Sequence, residues 1–266
     1  MAEREQNLPA PRGDHSDKPL VMIPVTAEDV ERRKRKIVLS CIAACAVLGG
    51  AAWYTYNRIN DPVEARQAYD AGVRLMRATR YEQAVLNFDR AIQIRPESAE
   101  AYRMRGRTYI LQSKPEQAIA DFTRLTQLRP ADAGALVERG FALLSINDSA
   151  RALADAERAL TLNPKLAQAY NLRGAAERAT GNPPKAVEDY TRAIDLEATL
   201  EYYFQRASTY QLLGDHQRAL ADFNKAVEFS PDQPHLYFAR AQSKAALGDV
   251  EGSKKDILTG RKIDGW

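Results

Sequence analysis

Residues 99–132 read AEAYRMRGRTYILQSKPEQAIADFTRLTQLRPAD. Tyr102, Gly106 and Tyr109 are followed by Ala118 and Phe122, and Pro130 closes the stretch. The same marks recur with a period of 34 residues from Ala65 onward. A period of that length describes stacked helical hairpins, each too small to bury its own apolar face. The expected fold is all-α, a solenoid of helix-turn-helix repeats. Such a chain works through its surface, which argues for binding or scaffolding and against an enzyme.

The marks resemble those of the tetratricopeptide repeat family. That family places a bulky residue at position 4, Gly or Ala at 8, a large residue at 11, Ala at 20, an aromatic at 24, Ala at 27 and Pro at 32. Six repeats are expected, at 65–98, 99–132, 133–166, 167–199, 200–233 and 234–266. The resemblance implies a right-handed superhelical solenoid. Repeat four lacks the closing proline and is one residue short, which predicts a local break in regularity. Repeat six carries Ser253 and Gly260 where alanines would stand. Lys254, Lys255, Arg261 and Lys262 make its second helix polar enough to act as a cap.

The physical reading is that small residues at 8 and 20 bring the two helices of a hairpin close. Large ones at 4, 11 and 24 then fill the space between hairpins. Asp148, Asn182, Asp215 and Asp249 stand where a side-chain oxygen caps a second helix. Pro115 and Pro183 stand at first helical positions. Repeats two to six share Arg at position 7 (Arg105, Arg139, Arg173, Arg206, Arg240). The same five share Asp at position 23 (Asp121, Asp155, Asp189, Asp222, Asp256). Each Arg is expected to pair with the Asp of its own hairpin; repeat one has Ala71 and Asn87 instead.

Ahead of the repeats, residues 37–56 read IVLSCIAACAVLGGAAWYTY, twenty residues without a charge. As a helix they would rise about 30 Å, a bilayer core's thickness. Arg32-Arg33-Lys34-Arg35-Lys36 precede them, and Trp53, Tyr54 and Tyr56 end them. One transmembrane helix is therefore expected, its N-terminal side cytoplasmic and the repeats outside, in the periplasm of a bacterium with its inner membrane. Residues 1–36, with Pro9, Pro11, Pro19 and Pro24 among charges, read as a disordered cytoplasmic tail. Residues 57–64 are a short linker and the start of the first helix, with Asp61-Pro62 as its cap and first turn. A cleaved signal peptide fits the long polar tail poorly. A lipobox-like Ile42-Ala43-Ala44-Cys45 is present, but the apolar run continues past Cys45. Both cysteines, Cys41 and Cys45, lie in this segment, so no disulfide can form within the repeats.

The net charge of +3 is small and much of it sits in the five-cation run, which argues against a nucleic-acid partner. The histidines His15, His216 and His235 are scattered, with no metal spacing, phosphate loop or nucleophile motif, so neither a cofactor nor catalysis is expected. In the tetratricopeptide repeat family the first helices line a concave groove through positions 2, 5, 9 and 12. Here the resemblance points to Tyr69, Val73, Met76, Arg103, Arg107, Val137, Phe141, Asn171, Arg178, Phe204, Gln211 and Phe238 as the peptide-binding groove. That mixture suits an extended or helical peptide. Arg103 and Arg107, four apart on one helix face, would suit a carboxylate; a solvated face is the alternative. Phe204 and Phe238 either await a partner or pack on neighbouring helices. The Lys/Asn/Arg set with which some family members hold acidic chaperone tails is absent at its positions: Tyr69, Val73, Met104, Gly134 and Glu138 in repeats one to three, Asn171, Ala175, Gln205, His235 and Ala239 in four to six. The leading expectation is a membrane-anchored scaffold for envelope-complex assembly or exported-protein handling. A cytosol-facing adaptor or import-type receptor, and a lipoprotein aiding pilus or secretin assembly, are the alternatives. Oligomeric state is not legible.

Overall fold

The computed structural model describes residues 32, 35, 36 and 62–265. The expected tail, membrane helix and lipobox fall on residues outside those described, except for three residues of the basic run. Among the described residues no helix is long and apolar enough to cross a membrane.

Each repeat forms two helices. The first helices are α1 (62–77), α3 (Ala99–Leu111), α5 (Ala133–Ser145), α7 (Ala167–Ala179), α9 (Leu200–Leu212) and α11 (Pro234–Ala246). The second helices are α2 (Tyr81–Ile94), α4 (Pro115–Leu128), α6 (Ser149–Leu162), α8 (Pro183–Leu196), α10 (His216–Phe229) and α12 (Val250–Asp264). There is no strand among the described residues. Consecutive helices pack on one another, and the first helices α5, α7, α9 and α11 also touch in succession. Successive second helices make no comparable contact, so the first helices form the inner face.

Local chemistry sets the helix ends. Asp148, Asp215 and Asp249 accept from the amides of Arg151, Arg218 and Gly252, as expected of caps. Asn182 does not cap: its amide nitrogen donates instead to Glu177 Oε2 at 3.0 Å. Ser98, Asp132 and Thr199 cap first helices, a role the repeat pattern does not mark. Every hairpin turns through one left-handed residue at position 15. It is Gly181, Gly214 and Gly248 in the last three repeats (φ 87, 77 and 84°), but Thr79, Ser113 and Asn147 in the first three (φ 57, 57 and 61°).

The missing residue of repeat four falls in the connection to repeat five, where residues 197–199 do the work of four elsewhere. Helix α8 keeps its 14 residues and ends without the proline. Glu197 is extended there (φ −153°, ψ 110°), as Asn163 is before Pro164 (φ −142°, ψ 91°). The irregularity is thus absorbed locally.

Packing departs from the expectation at position 24. The rings there fill their own hairpin and lie over the position 8 glycine. A methyl group on Gly72 would come within 2.6 Å of Phe88, and one on Gly106 within 2.7 Å of Phe122. In these two hairpins glycine seats the ring, more than it brings two backbones together, whereas in repeat five Ala207 shares a cluster with the buried Phe223. Repeat three has Ala156 at this position, and Leu172 from the next hairpin covers Gly140.

All five expected Arg–Asp pairs form. Each guanidinium donates through Nε and Nη2 to both carboxylate oxygens of its Asp, at 2.6 to 3.0 Å. The carboxylates are buried. The same arginines lie over the ring at position 4 wherever that is tyrosine, 5.3 to 5.8 Å from Tyr102, Tyr170, Tyr203 and Tyr237. Most also reach back one repeat: Arg105 to Asp89, Arg139 to Thr126, Arg206 to Thr191 and Arg240 to Asn224. Burial pushes the Asp121 and Asp189 carboxyls above the ordinary range, against the pull of their guanidiniums. At Asp256 burial acts the same way, but Arg240 and Lys244 (2.9 Å) together outweigh it and hold the carboxyl below that range.

Candidate peptide-binding groove

The inner face carries two adjoining hollows. One, of about 760 Å³, opens between α1, α3 and α5. Its walls are mostly apolar: Met76, Ile110, Leu111, Phe141, Ala142 and the edge of Phe122. The other, of about 610 Å³, runs from α3 across α5 and α7 to the start of α9. It is bounded by Arg103, Arg107, Asp132, Val137, Glu138, Phe141, Asn171, Glu197, Glu201 and Tyr202. Arg107, Glu138 and Phe141 belong to both, so the two form one continuous groove. Periodicity puts Met76, Arg103, Arg107, Ile110, Val137, Phe141, Asn171 and Glu201 there: positions 2, 5, 9 and 12 of a first helix share one helical stripe turned from the second helices.

The expected groove residues divide. Phe141 is 38% exposed and central to both hollows. Met76 and Arg107 also line the open part. Val137 lies at its floor, 4% exposed, and Asn171 is 7% exposed with its Oδ1 unpartnered. Tyr69 instead leans on Phe88, with ring centres 6.0 Å apart, and Val73 is half-buried beside it; neither lines a hollow. Phe204 packs edge-on to Phe223 (5.8 Å) and His235 (5.4 Å), and Phe238 lies over Gly260. These two half-buried rings thus pack on neighbouring helices and lie outside both hollows, and Phe238 borders a separate one of about 550 Å³ between α11 and α12. Gln211 is held by Ala239 O (2.9 Å) and Ser243 Oγ (2.8 Å). The half-buried Arg178 also stands outside both hollows.

Arg103 and Arg107 do bind a carboxylate, but it is the chain's own. Arg103 Nε donates to Glu138 Oε2 at 2.8 Å and Arg107 Nε to Oε1 at 2.5 Å. Arg103 Nη2 also meets Asp132 Oδ2 at 2.5 Å. Burial works against the Arg103 charge, but its partners overcome it and raise its pKa. Asp132 is held below the ordinary carboxylate range: burial opposes this, and the Arg103 hydrogen bond and the Ala135 amide prevail. The sequence reading missed Ile110, Leu111, Glu138, Glu197 and Glu201. Ile110 stands at position 12 and was within reach of the rule that selected Met76. Glu138 lies 31 and 35 residues from its two arginines, and no local signal couples them. Among the described residues no group of His, Cys, Asp and Glu is placed to hold a metal ion.

This architecture defines a class of helical-repeat, protein-interaction scaffolds. The chain belongs to the tetratricopeptide repeat family, which it matches over residues 69–133, 137–201 and 200–233. No curated protein matches it. Among solved structures it is similar to a thermophilic tetratricopeptide repeat protein of Thermus thermophilus (25% identity, 69% of this chain and 98% of that one, TM-score 0.58). It is also similar to a tetratricopeptide repeat protein of Parabacteroides merdae (21% identity, 90% and 93%, TM-score 0.66). A third likeness is to pilF of Pseudomonas aeruginosa (15% identity, 78% and 95%, TM-score 0.65). The last two likenesses concern the fold alone.

Proposed function

We propose that this chain is a membrane-anchored scaffold that captures a segment of a partner protein in the groove around Phe141. The observation that carries the reading is the hollow itself: an apolar cavity held open on the inner face of a rigid repeat array. Groove capture needs no catalytic group, and the reading is of a binding protein, not an enzyme. The uncharged run 37–56 supplies the anchor, and the five cations before it favour an inward N-terminus. The repeats then face the periplasm of a bacterial inner membrane, where they would serve envelope-complex assembly or the handling of exported proteins. Tethering raises the local concentration of any partner that shares the membrane.

Two measurements test this. Protease added to intact cells, and to cells with the outer barrier opened, reports the side on which the repeats lie. Digestion only after opening is expected; protection until the inner membrane is lysed would make a cytosol-facing adaptor the better reading. A photo-crosslinking residue at Phe141 is expected to trap a discrete partner, while one at the packed Phe204 traps none. Equal labelling at both would remove the groove as the binding site.

A further inference from the structure

Within the second hollow, Arg103, Arg107, Asp132 and Glu138 satisfy one another: two guanidiniums and two carboxylates in one hydrogen-bonded chain. Their charges cancel. Glu197 and Glu201, on the opposite wall, have no Lys or Arg within ion-pair distance among the described residues. Both are exposed, and Glu201 accepts only from Gln205, at 2.5 Å. Between the two walls lies Asn171, more than nine-tenths buried, whose Oδ1 meets no donor. A buried acceptor without a donor is unfavourable until a ligand or water supplies one. The unspent chemistry of this hollow is thus two negative charges and a free amide oxygen, next to an apolar cavity.

We infer that the captured segment pairs a large apolar side chain with a neighbouring lysine or arginine, the apolar group entering the hollow at Phe141 and the cation meeting Glu197 and Glu201. This rests on the groove-capture reading above and adds the charge of the partner to it. An acidic segment is excluded by the same geometry. It would have to strip Glu138 from Arg103 and Arg107 and then face two unpaired carboxylates. The pairing of the groove arginines with Glu138 therefore acts as a filter on partner charge.

Short random peptides displayed on phage, selected on the full chain in detergent micelles, provide the test. The selected peptides are then measured by fluorescence anisotropy against three variants. Peptides carrying an apolar residue beside Lys or Arg are expected. The double variant Glu197→Gln/Glu201→Gln should weaken them about tenfold or more and flatten their salt dependence. Both positions are exposed, so this variant keeps the fold, which an unchanged melting curve checks. Phe141→Ala should abolish binding altogether. Peptides lost with Phe141→Ala but indifferent to the double glutamine variant would overturn the charge inference and leave groove capture standing. Acidic peptides selected on the unaltered chain would overturn it too, whereas Glu138→Gln, which frees Arg103 and Arg107, is expected to admit them. Binding indifferent to Phe141→Ala, or no selection at all, would overturn both.

Discussion

Leu172 on α7 fills the space that Gly140 leaves open on α5. In repeats one, two and four an aromatic residue from the same hairpin does this, but repeat three has Ala156 there. The next repeat has taken over a neighbour's core position, and the two hairpins share one apolar cluster. Leu172→Ala should therefore cost about 3 kcal/mol, and urea denaturation should read it as a loss of midpoint. A loss below about 1 kcal/mol would mean that the site collapses around the cavity.

The Arg206–Asp222 pair is among the less exposed of the five, with side chains 17% and 8% exposed. Removing one partner strands the other charge. Asp222→Ala should destabilise by about 3 kcal/mol, and Arg206→Met with Asp222→Leu should recover most of that. Chemical denaturation of the three variants checks it; equal losses in the single and double variants would show that the pair itself, not the stranded charge, sets the cost.

Tyr190 is fully buried and its hydroxyl has no partner, while Phe88, Phe122 and Phe223 occupy the same register. Tyr190→Phe should raise stability by about 1 kcal/mol. Burial also pushes the Tyr190 phenol from 10.0 up to about 12. The fold prefers the neutral form, so this contribution is intact below pH 10 and is lost as pH rises toward 12. The advantage of Tyr190→Phe should widen across that window in melts at increasing pH. A constant gap would place the titration elsewhere.

Thr79 turns the first hairpin in a left-handed conformation that β-branched residues avoid. Thr79→Gly should stabilise by about 0.5 kcal/mol, since the relief of strain exceeds the added freedom of the unfolded chain. Asn147→Gly, at a residue that tolerates the region, should be nearly neutral. Hydrogen exchange across α1 and α2 gives the readout, with slower exchange expected in the Thr79 variant.

The periodic part of the fold was legible because each mark answers one physical need repeated six times. Arg at 7 and Asp at 23 lie on facing stripes of a hairpin, so the pairs could be named before any coordinates. Depth was not legible. Phe141, Phe204 and Phe238 share the inner stripe, yet Phe141 is exposed while the other two are half-covered, because how far a neighbouring helix covers a ring depends on the exact spacing of hairpins. Glu138 was missed for a related reason. Its two arginines belong to the previous repeat, and a pattern read one repeat at a time sees no partner across the junction. The cap at Asn182 failed for a local reason: an amide can donate, and Glu177 offered an acceptor within reach.

The backward reach of Arg206 and Arg240 makes the last two junctions interchangeable parts. Arg206 meets Thr191 and Arg240 meets Asn224, oxygens at the same register of the preceding unit. If residues 200–233 were excised as a block, Arg240 would come opposite Thr191 and find the same kind of acceptor. A unit such as 200–233 can thus be gained or lost without new joinery, whereas the third and fourth are tied together through Leu172. Length is the one property this construction leaves free to vary, and with length goes the reach of its inner face.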